Sequence, residues 1–543
     1  MSPGRWRHPV HGGAGGLVLG IAIGVGDGLR AASLAGESAR ERLVGLVTVD
    51  SAVGAALGLA VGLAIALLSV FRPSLSPPGR WWRVLASAGL LAAGALAAGL
   101  RTNGAPPTLD EELRAAWRLE RALPALAPAE GGPVIVVSLD TVRYDALADM
   151  PALSRRAAGA LRYTAAHSTS SWTLPSMASV QTGAYYPEHG AAQMEMHGTT
   201  GVRTGLDPRL PTLAERLREA GYVNAAVVTN PFNGIRYGMH RGFDRFHDLS
   251  RGALRAYALR RSSLLRPLFP VRRDGAGEVS DAALTLLDPL HTGRFFLWLH
   301  YLDAHAPYAA DPARFDPLGP CALPACFNDW SGVRTGSLTL STADRARIRT
   351  LYASDLAYLD GQLERVFAAL DATGVSDRAL VIVLADHGEE FWDHGGVEHG
   401  ATFFEEVVHV PLIVWAPGHP AADVAHGVDI AAVPDAVLSW VRDGTLGPLE
   451  PAAPDRVTRL GSLLFSDDGA ACTDGHVKAI VSQGRTRVYD LVADPGETRD
   501  LGTGDAGRTQ ALAACLSRVT SAPHGARGPG GDAAALRALG YAQ

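Results

Sequence analysis

The sequence almost does without lysine: Lys478 is the one lysine among 49 basic residues. A lysine-dependent mechanism therefore has a single candidate, far along the chain from Thr173. Cysteine is scarce as well, limited to Cys321, Cys326, Cys472 and Cys515. None lies near Thr173, so local sequence argues against a cysteine nucleophile. If the domain lies outside the cytosol, Cys321 with Cys326 and Cys472 with Cys515 are candidate disulfides; free buried thiols are the alternative. There is no surplus of positive charge. The formal net charge is −6, which argues against a general nucleic-acid binder. No internal repeat is visible, so a solenoid or propeller is not expected.

What the chain does have is apolar material at its start. Gly13 to Ala35 is interrupted by Asp27 and Arg30, Leu43 to Phe71 carries only Asp50, and Trp82 to Leu100 is uncharged except for Arg83. A bilayer core takes about 20 apolar residues per helix, so residues 1–100 are expected to hold two to three transmembrane helices. The material is too long and too repeated for a cleavable signal peptide. With Arg5 and Arg7 on the cytoplasmic side, together with Arg72, Arg80 and Arg83, the positive-inside rule is met. Three spans would then deliver the remainder to the outside. The expectation is a multi-pass protein of the cell (inner) membrane with an extracytoplasmic, periplasmic soluble domain and a linker over 101–132.

From 133 to 450, apolar β-rich runs alternate with helical patterns. Val134 to Leu139, Tyr222 to Val228, Phe295 to His300, Ala379 to Leu384 and Pro411 to Trp415 read as strands. Thr212 and Glu215 form a capping box that opens a helix ending at Gly221, and Leu351 to Leu370 reads as an amphipathic helix. Alternation of this kind predicts an α/β fold with a mostly parallel sheet flanked by helices. Residues 250–290 and 309–345 read as irregular surface excursions; with 190–205 they are the loops expected to set specificity. Residues 451–543 read as a small antiparallel C-terminal subdomain, with strands at Leu460 to Ser466, His476 to Ser482 and Arg485 to Asp490. A helix is expected near Ala533 to Leu539.

Three motifs carry chemistry. Asp140 follows the first strand. Asp386 and His387, in Asp386-His387-Gly388-Glu389, follow a later one. Thr173 stands in Ser171-Trp172-Thr173-Leu174-Pro175-Ser176-Met177. Alone, each is an ordinary helix cap or turn. Together, acidic and imidazole ligands at strand ends plus a hydroxyl on a turn can make a metal-activated nucleophile. Carboxylates with an imidazole suit one Zn or Mn ion better than Ca or Mg.

The ordered set of motifs resembles the sulfatase-like family of the alkaline phosphatase superfamily, in a threonine-nucleophile, membrane-anchored form. It runs through Ser138-Leu139-Asp140-Thr141-Val142-Arg143, the Thr173 segment, His300-Tyr301-Leu302-Asp303-Ala304-His305, Ala385-Asp386-His387-Gly388-Glu389 and His399-Gly400, to Tyr489-Asp490-Leu491 and Asp494-Pro495-Gly496-Glu497. The resemblance implies Asp140, Asp386, His387 and Thr173 as metal ligands. It also implies Thr173 as nucleophile, His305 as a contact to the transferred group or leaving oxygen, His399 as general acid, and His394 as a substrate contact. His189 and His409 are left as structural.

The chain also departs from the family. Sulfatases resemble one another in a Cys- or Ser-x-Pro-x-Arg signature whose first residue becomes formylglycine. Thr173 stands there, and Met177 replaces the arginine. Threonine cannot give formylglycine, because its β-carbon would become a ketone. Thr141 stands where many relatives carry a second aspartate, which favours one ion over two. The expectation is a metal-dependent hydrolase or transferase acting on a phospho-ester through a Thr173 adduct, with Ser171 and Ser176 as backup nucleophiles. The rivals are a sulfatase working without formylglycine and an inactive binding protein of the same fold. The expected partners are a phospho- or sulfo-ester, lipid- or glycan-linked, and the membrane.

Overall fold

The computed structural model describes residues 132–250, 275–308, 338–447 and 469–502, a few single positions excepted, together with Thr458–Gly461 and isolated positions such as Cys515. The apolar stretches before residue 101, most of the 101–132 linker, Cys321 and Cys326, and the helix expected near 533–539 lie outside the described residues. Among the described residues, no helix is long and apolar enough to cross a membrane.

Eight strands form the central sheet. In chain order they are β1 (Val134–Leu139), β2 (Leu161–Tyr163), β3 (Val223–Val228), β4 (Arg245–Asp248), β5 (Phe295–Tyr301), β6 (Leu380–Ala385), β7 (Leu412–Trp415) and β8 (Ala422–Val424). Their order across the sheet is β8-β2-β7-β6-β1-β5-β3-β4. The block β6-β1-β5-β3-β4 is parallel throughout, whereas β7 runs antiparallel to β6 and β2. Every residue of β1, β3, β5 and β6 is buried. This is why these strands read as unbroken apolar runs rather than alternating ones. Each buried Val, Leu or Ile side chain contributes about 1.5–3 kcal/mol.

The register places the functional residues. Leu139 pairs with Tyr301 on one side and Ala385 on the other. Asp140 and Asp386 therefore leave adjacent parallel strands at the same level. Asn230 follows β3 on the same edge, and His305 follows β5. Open parallel sheets collect ligands at this edge.

The helices are α1 (Pro151–Ala157), α2 (Thr173–Thr182), α3 (Leu213–Glu219), α4 (Gly275–Leu290), α5 (Thr342–Ala372), α6 (Glu405–Val408) and α7 (Val433–Asp443). The capping box at α3 is present: Thr212 Oγ1 accepts from the Glu215 N–H at 3.1 Å, and the Glu215 carboxylate accepts from the Thr212 N–H at 2.8 Å. Three expectations need correction. Residues 275–290 are helical, not irregular. Gly275, Gly277 and Pro289 obscure the pattern, but Ala276, Val279, Ala283, Leu286, Leu287 and Leu290 form a buried helical face. Helix α5 begins nine residues before the expected Leu351, because Ser341 and Asp344 cap it there. Within 190–205, Ala192–Met196 and Thr199–Thr204 pair as a hairpin rather than forming an open loop.

A four-stranded antiparallel sheet follows: β9 (Thr458–Gly461), β10 (Gly469–Thr473), β11 (Val477–Ser482) and β12 (Arg485–Asp490). β10 was not expected; its small residues, Gly469-Ala470-Ala471, carry little strand propensity. Cys472 and Cys515 are joined as a disulfide. Ala471, Ile480 and Tyr489 pack on Phe403, Phe404, Val407 and Val408 around α6.

Lys478 is central to that contact. It is fully buried, and its Nζ lies 2.7 Å from both Glu405 Oε1 and Glu497 Oε1. Burial works against its charge, but the two carboxylates outweigh that effect and raise its pKa. Glu405 also meets His167 at 3.1 Å, and Glu497 Oε2 accepts the Glu405 N–H at 2.6 Å. Removing one member of a buried pair strands the others without compensation. Lys478→Met is expected to cost about 3–5 kcal/mol, read as a lower urea midpoint at unchanged slope. A midpoint like that of the wild type would show that these buried ion pairs do not stabilise the contact.

Candidate active site

The site is built on the carboxyl ends of β1, β3, β5 and β6 and on the first turn of α2. Trp172, in extended conformation, precedes α2, so Thr173 is its first helical residue. The unpaired N–H groups and the dipole of a helix start favour negative charge at this end. Thr173 Oγ1 lies 3.4 Å from Asp140 Oδ2 and 3.3 Å from His387 Nε2. Asp140, Thr173, Asp386 and His387 are all buried.

His387 Nδ1 faces the Gly388 carbonyl at 2.9 Å. A carbonyl only accepts, so Nδ1 donates to it and Nε2 is the nitrogen turned toward the two carboxylates. That nitrogen lies 3.7 Å from Asp140 Oδ1 and 3.6 Å from Asp386 Oδ2. Both of these carboxylate oxygens are buried and accept no hydrogen bond. Ligand atoms about 2.1 Å from a tetrahedral ion lie roughly 3.4 Å apart. The spacing, the orphaned oxygens and the mixed oxygen and nitrogen donors fit a divalent cation.

The electrostatics agree with this. Burial raises Asp140, but the hydrogen bond from His300 and the charges of His305 and His387 outweigh it, holding its pKa well below the usual range. Burial and the charge of Asp140 push Asp386 well above that range. Two buried carboxylates this close cannot both ionise cheaply without a cation.

Two residues absent from the expected site complete the shell. Asn230 Nδ2 donates to Asp140 Oδ2 at 2.6 Å and to Thr173 Oγ1 at 3.1 Å, while its Oδ1 accepts the Phe232 N–H at 2.9 Å. His300 Nε2 lies 3.2 Å from Asp140 Oδ2, and its Nδ1 lies 2.8 Å from Ser138 Oγ, which accepts from Trp298 Nε1 at 2.9 Å. The chain Trp298–Ser138–His300–Asp140 fixes both the tautomer and the carboxylate. Asn230 has a sequence signal, as Thr229-Asn230-Pro231 directly follows a buried strand. His300 lies inside an apolar strand, where one polar residue reads as noise.

Of the remaining expected residues, His305 and His399 meet edge to face with ring centroids 5.0 Å apart, and His399 lies 4.3 Å from His387 by the same measure. Burial lowers the His305 pKa to about 4, so it is neutral near pH 7. Its Nδ1 donates to the Ala306 carbonyl at 2.6 Å. His394 is not brought to this group. Its Nδ1 pairs with Glu406 at 2.7 Å, its Nε2 meets the Glu497 carbonyl at 3.3 Å, and it stacks on Phe404 at 3.6 Å. His394, Glu406 and Glu497 form a second cluster of metal-ligand type, but Lys478 already supplies positive charge at Glu497. His409 stacks on Tyr144 at 4.1 Å, and His189 accepts the Ala191 N–H at 3.1 Å.

The family described as Sulfatase matches residues 134–441. The chain belongs to the sulfatase family. Human iduronate 2-sulfatase is 28% identical over 170 residues, covering 26% of this chain and 30% of that protein. The multifunctional alkaline phosphatase superfamily protein PehA of Trinickia caryophylli is 28% identical over 193 residues, covering 30% and 37%. The chain thus spans about a third of the length of these curated relatives. Among solved structures, the phosphonate monoester hydrolase of Agrobacterium radiobacter superposes with a TM-score of 0.55 at 18% identity, covering 72% of this chain and 95% of that one. A structure in complex with its substrate D-glucosamine-2-N,6-O-disulfate gives 0.56 at 15% identity, covering 72% and 97%. At such identities the likeness is one of fold. The sulfatase fold here carries a threonine, not a cysteine or serine, at the start of α2.

Proposed function

We propose that this sulfatase-family chain is a metal-dependent ester hydrolase or transferase that moves a phosphoryl-type group through a covalent adduct on Thr173. One observation carries the reading: Thr173 Oγ1 lies within hydrogen-bonding reach of both Asp140 and His387, at a helix start. A divalent cation held by Asp140, Asp386, His387 and Thr173, with Zn or Mn fitting better than Ca or Mg, would favour the threonine alkoxide and offset charge on the transferred group. Asn230 holds the nucleophilic oxygen by donating to it. His305, neutral near pH 7, offers a polar contact to the transferred group, and His399 protonates the leaving oxygen. Water or an acceptor alcohol then takes the group from Thr173.

Threonine cannot be oxidised to formylglycine, and Met177 is a fully buried residue where an anion-binding arginine would be expected. The first point favours phosphorus over sulfur. Relatives named as sulfatases support a second reading, sulfate ester hydrolysis without formylglycine. Purified protein should be assayed on 4-nitrophenyl phosphate, bis(4-nitrophenyl) phosphate, 4-nitrophenyl phenylphosphonate and 4-nitrophenyl sulfate. Turnover confined to the sulfate would overturn the phosphoryl reading. No turnover together with no bound ion would leave a binding protein.

The proposed setting is the cell membrane, with the catalytic part extracytoplasmic and the substrate a lipid- or glycan-linked ester. The apolar stretches before residue 101 and the Cys472–Cys515 disulfide support this placement. Protease treatment of intact spheroplasts should cleave the catalytic part; protection there would reverse the topology.

A further inference from the structure

Glu389 is fully buried, two residues beyond the ligand His387, and the proposed roles above leave it unused. Its carboxylate is held at both oxygens. Oε1 lies 2.9 Å from His399 Nδ1, and Oε2 accepts from the Tyr308 hydroxyl at 2.8 Å. Its backbone is fixed as well. The Glu389 carbonyl accepts from Arg143 Nη1 at 3.0 Å, and its N–H donates to the Glu406 carbonyl at 3.0 Å. Arg143 is anchored in turn by Asp145 and Asp393. A carboxylate held this rigidly against an imidazole orients the ring and commits one of its two nitrogens.

We propose that Glu389 is a positioning residue for His399, committing Nδ1 to the carboxylate so that Nε2 delivers the proton to the leaving oxygen. This rests on the proposed Thr173 chemistry. In the first half-reaction the deprotonated Thr173 Oγ1 bonds to phosphorus. The bond from phosphorus to the ester oxygen breaks, and its electron pair stays on that oxygen. The Nε2 proton of His399 moves to the same oxygen, giving a neutral alcohol. His399 is left neutral, with its Nδ1–H still on Glu389. Tyr308 sits on the far side of the carboxylate and keeps it aimed.

The role has a signature that a structural role lacks. Proton delivery matters most when the leaving oxygen is strongly basic, and little when the leaving group is stable as an anion. The test is kcat/KM for the phenyl and 4-nitrophenyl esters of whichever acid turns over. In Glu389→Gln the phenyl ester should lose about 10²-fold and the 4-nitrophenyl ester much less, so their ratio shifts by about tenfold or more. His399→Ala should show the same selectivity, and the double variant should add little to it. Equal losses on both esters would overturn the proposal. If Glu389→Gln does not fold, Tyr308→Phe removes only the second anchor and should shift the ratio in the same direction by less; an unmoved ratio there would also overturn it. Thr173→Ala, measured alongside, separates the two levels: full activity in that variant defeats the Thr173 reading itself, whatever Glu389 does.

Discussion

Thr173→Ala should lower kcat/KM by roughly 10⁴-fold or more, as expected when an attacking group is removed and its surroundings remain. The fold should hardly notice. The substitution removes one hydroxyl whose partners, Asp140, His387 and Asn230, are also engaged with one another or with their neighbours, at a cost of about 1 kcal/mol. Asp140, Asp386 and His387 remain, so bound metal should persist in the inactive protein. Thr173→Ser keeps the oxygen and should keep measurable turnover. The direct measurement is intact mass after rapid quenching with substrate. Wild type should carry an adduct on the Thr173 peptide whose mass identifies the transferred group, and the alanine variant should carry none. Full activity in the alanine variant would move the nucleophile elsewhere. Ser176 would be a poor heir, because its hydroxyl donates to the Ser170 carbonyl at 3.1 Å; Ser171 is buried with no hydrogen bond to its Oγ.

What the sequence reveals of this fold depends on where each signal is stored. Buried parallel strands announce themselves as apolar runs, so β1, β3, β5, β6 and β7 were readable within a residue or two, and with them the strand-end position of Asp140 and Asp386. Helix α3 was readable because its cap is local, in Thr212 and Glu215. Helix α4 was not, since its burial is set by packing against α5 and β5 and its ends carry glycine and proline. The residues that hold the site together were the least visible. His300 sits in an all-buried strand and reveals its purpose only through register, which sets it beside Ser138. Glu389 looks like one acid among several until its two oxygens find His399 and Tyr308. His394 shows the converse: the family resemblance implies it as a substrate contact, yet Glu406 and Phe404 hold it in another cluster.

Stripping metal should abolish activity by about 10³-fold, the rate equivalent of several kcal/mol, and should reverse how stability responds to pH. The sign follows from Asp140 and Asp386. The folded pKa of Asp140 is depressed below its ordinary 3.8, so its contribution is present above that value and lost in stronger acid. The folded pKa of Asp386 is raised well above 3.8. The metal-free folded state therefore holds a proton that the unfolded chain releases, and stability from Asp386 is lost as pH climbs from about 4 toward its folded pKa. Other buried groups titrate in this window, among them His305 at about 4 and Glu389, raised by burial to about 7. The informative quantity is therefore the difference between metal-free wild type and metal-free Asp386→Asn. The asparagine variant should gain on wild type progressively as pH rises, because it has no carboxyl to ionise beside Asp140. Adding Zn or Mn should turn the relation over. Metal binding requires the ionised carboxylate, so wild-type affinity should rise with pH, and at 1,000 times Kd the ion should add about 4 kcal/mol that the variant cannot recover. Urea midpoints at several pH values, with chelator and with metal, measure both halves. A difference that stayed flat with chelator would mean that Asp386 does not face Asp140 across a shared cation site. Equal stabilisation of both proteins by metal would place the ion somewhere other than beside Thr173.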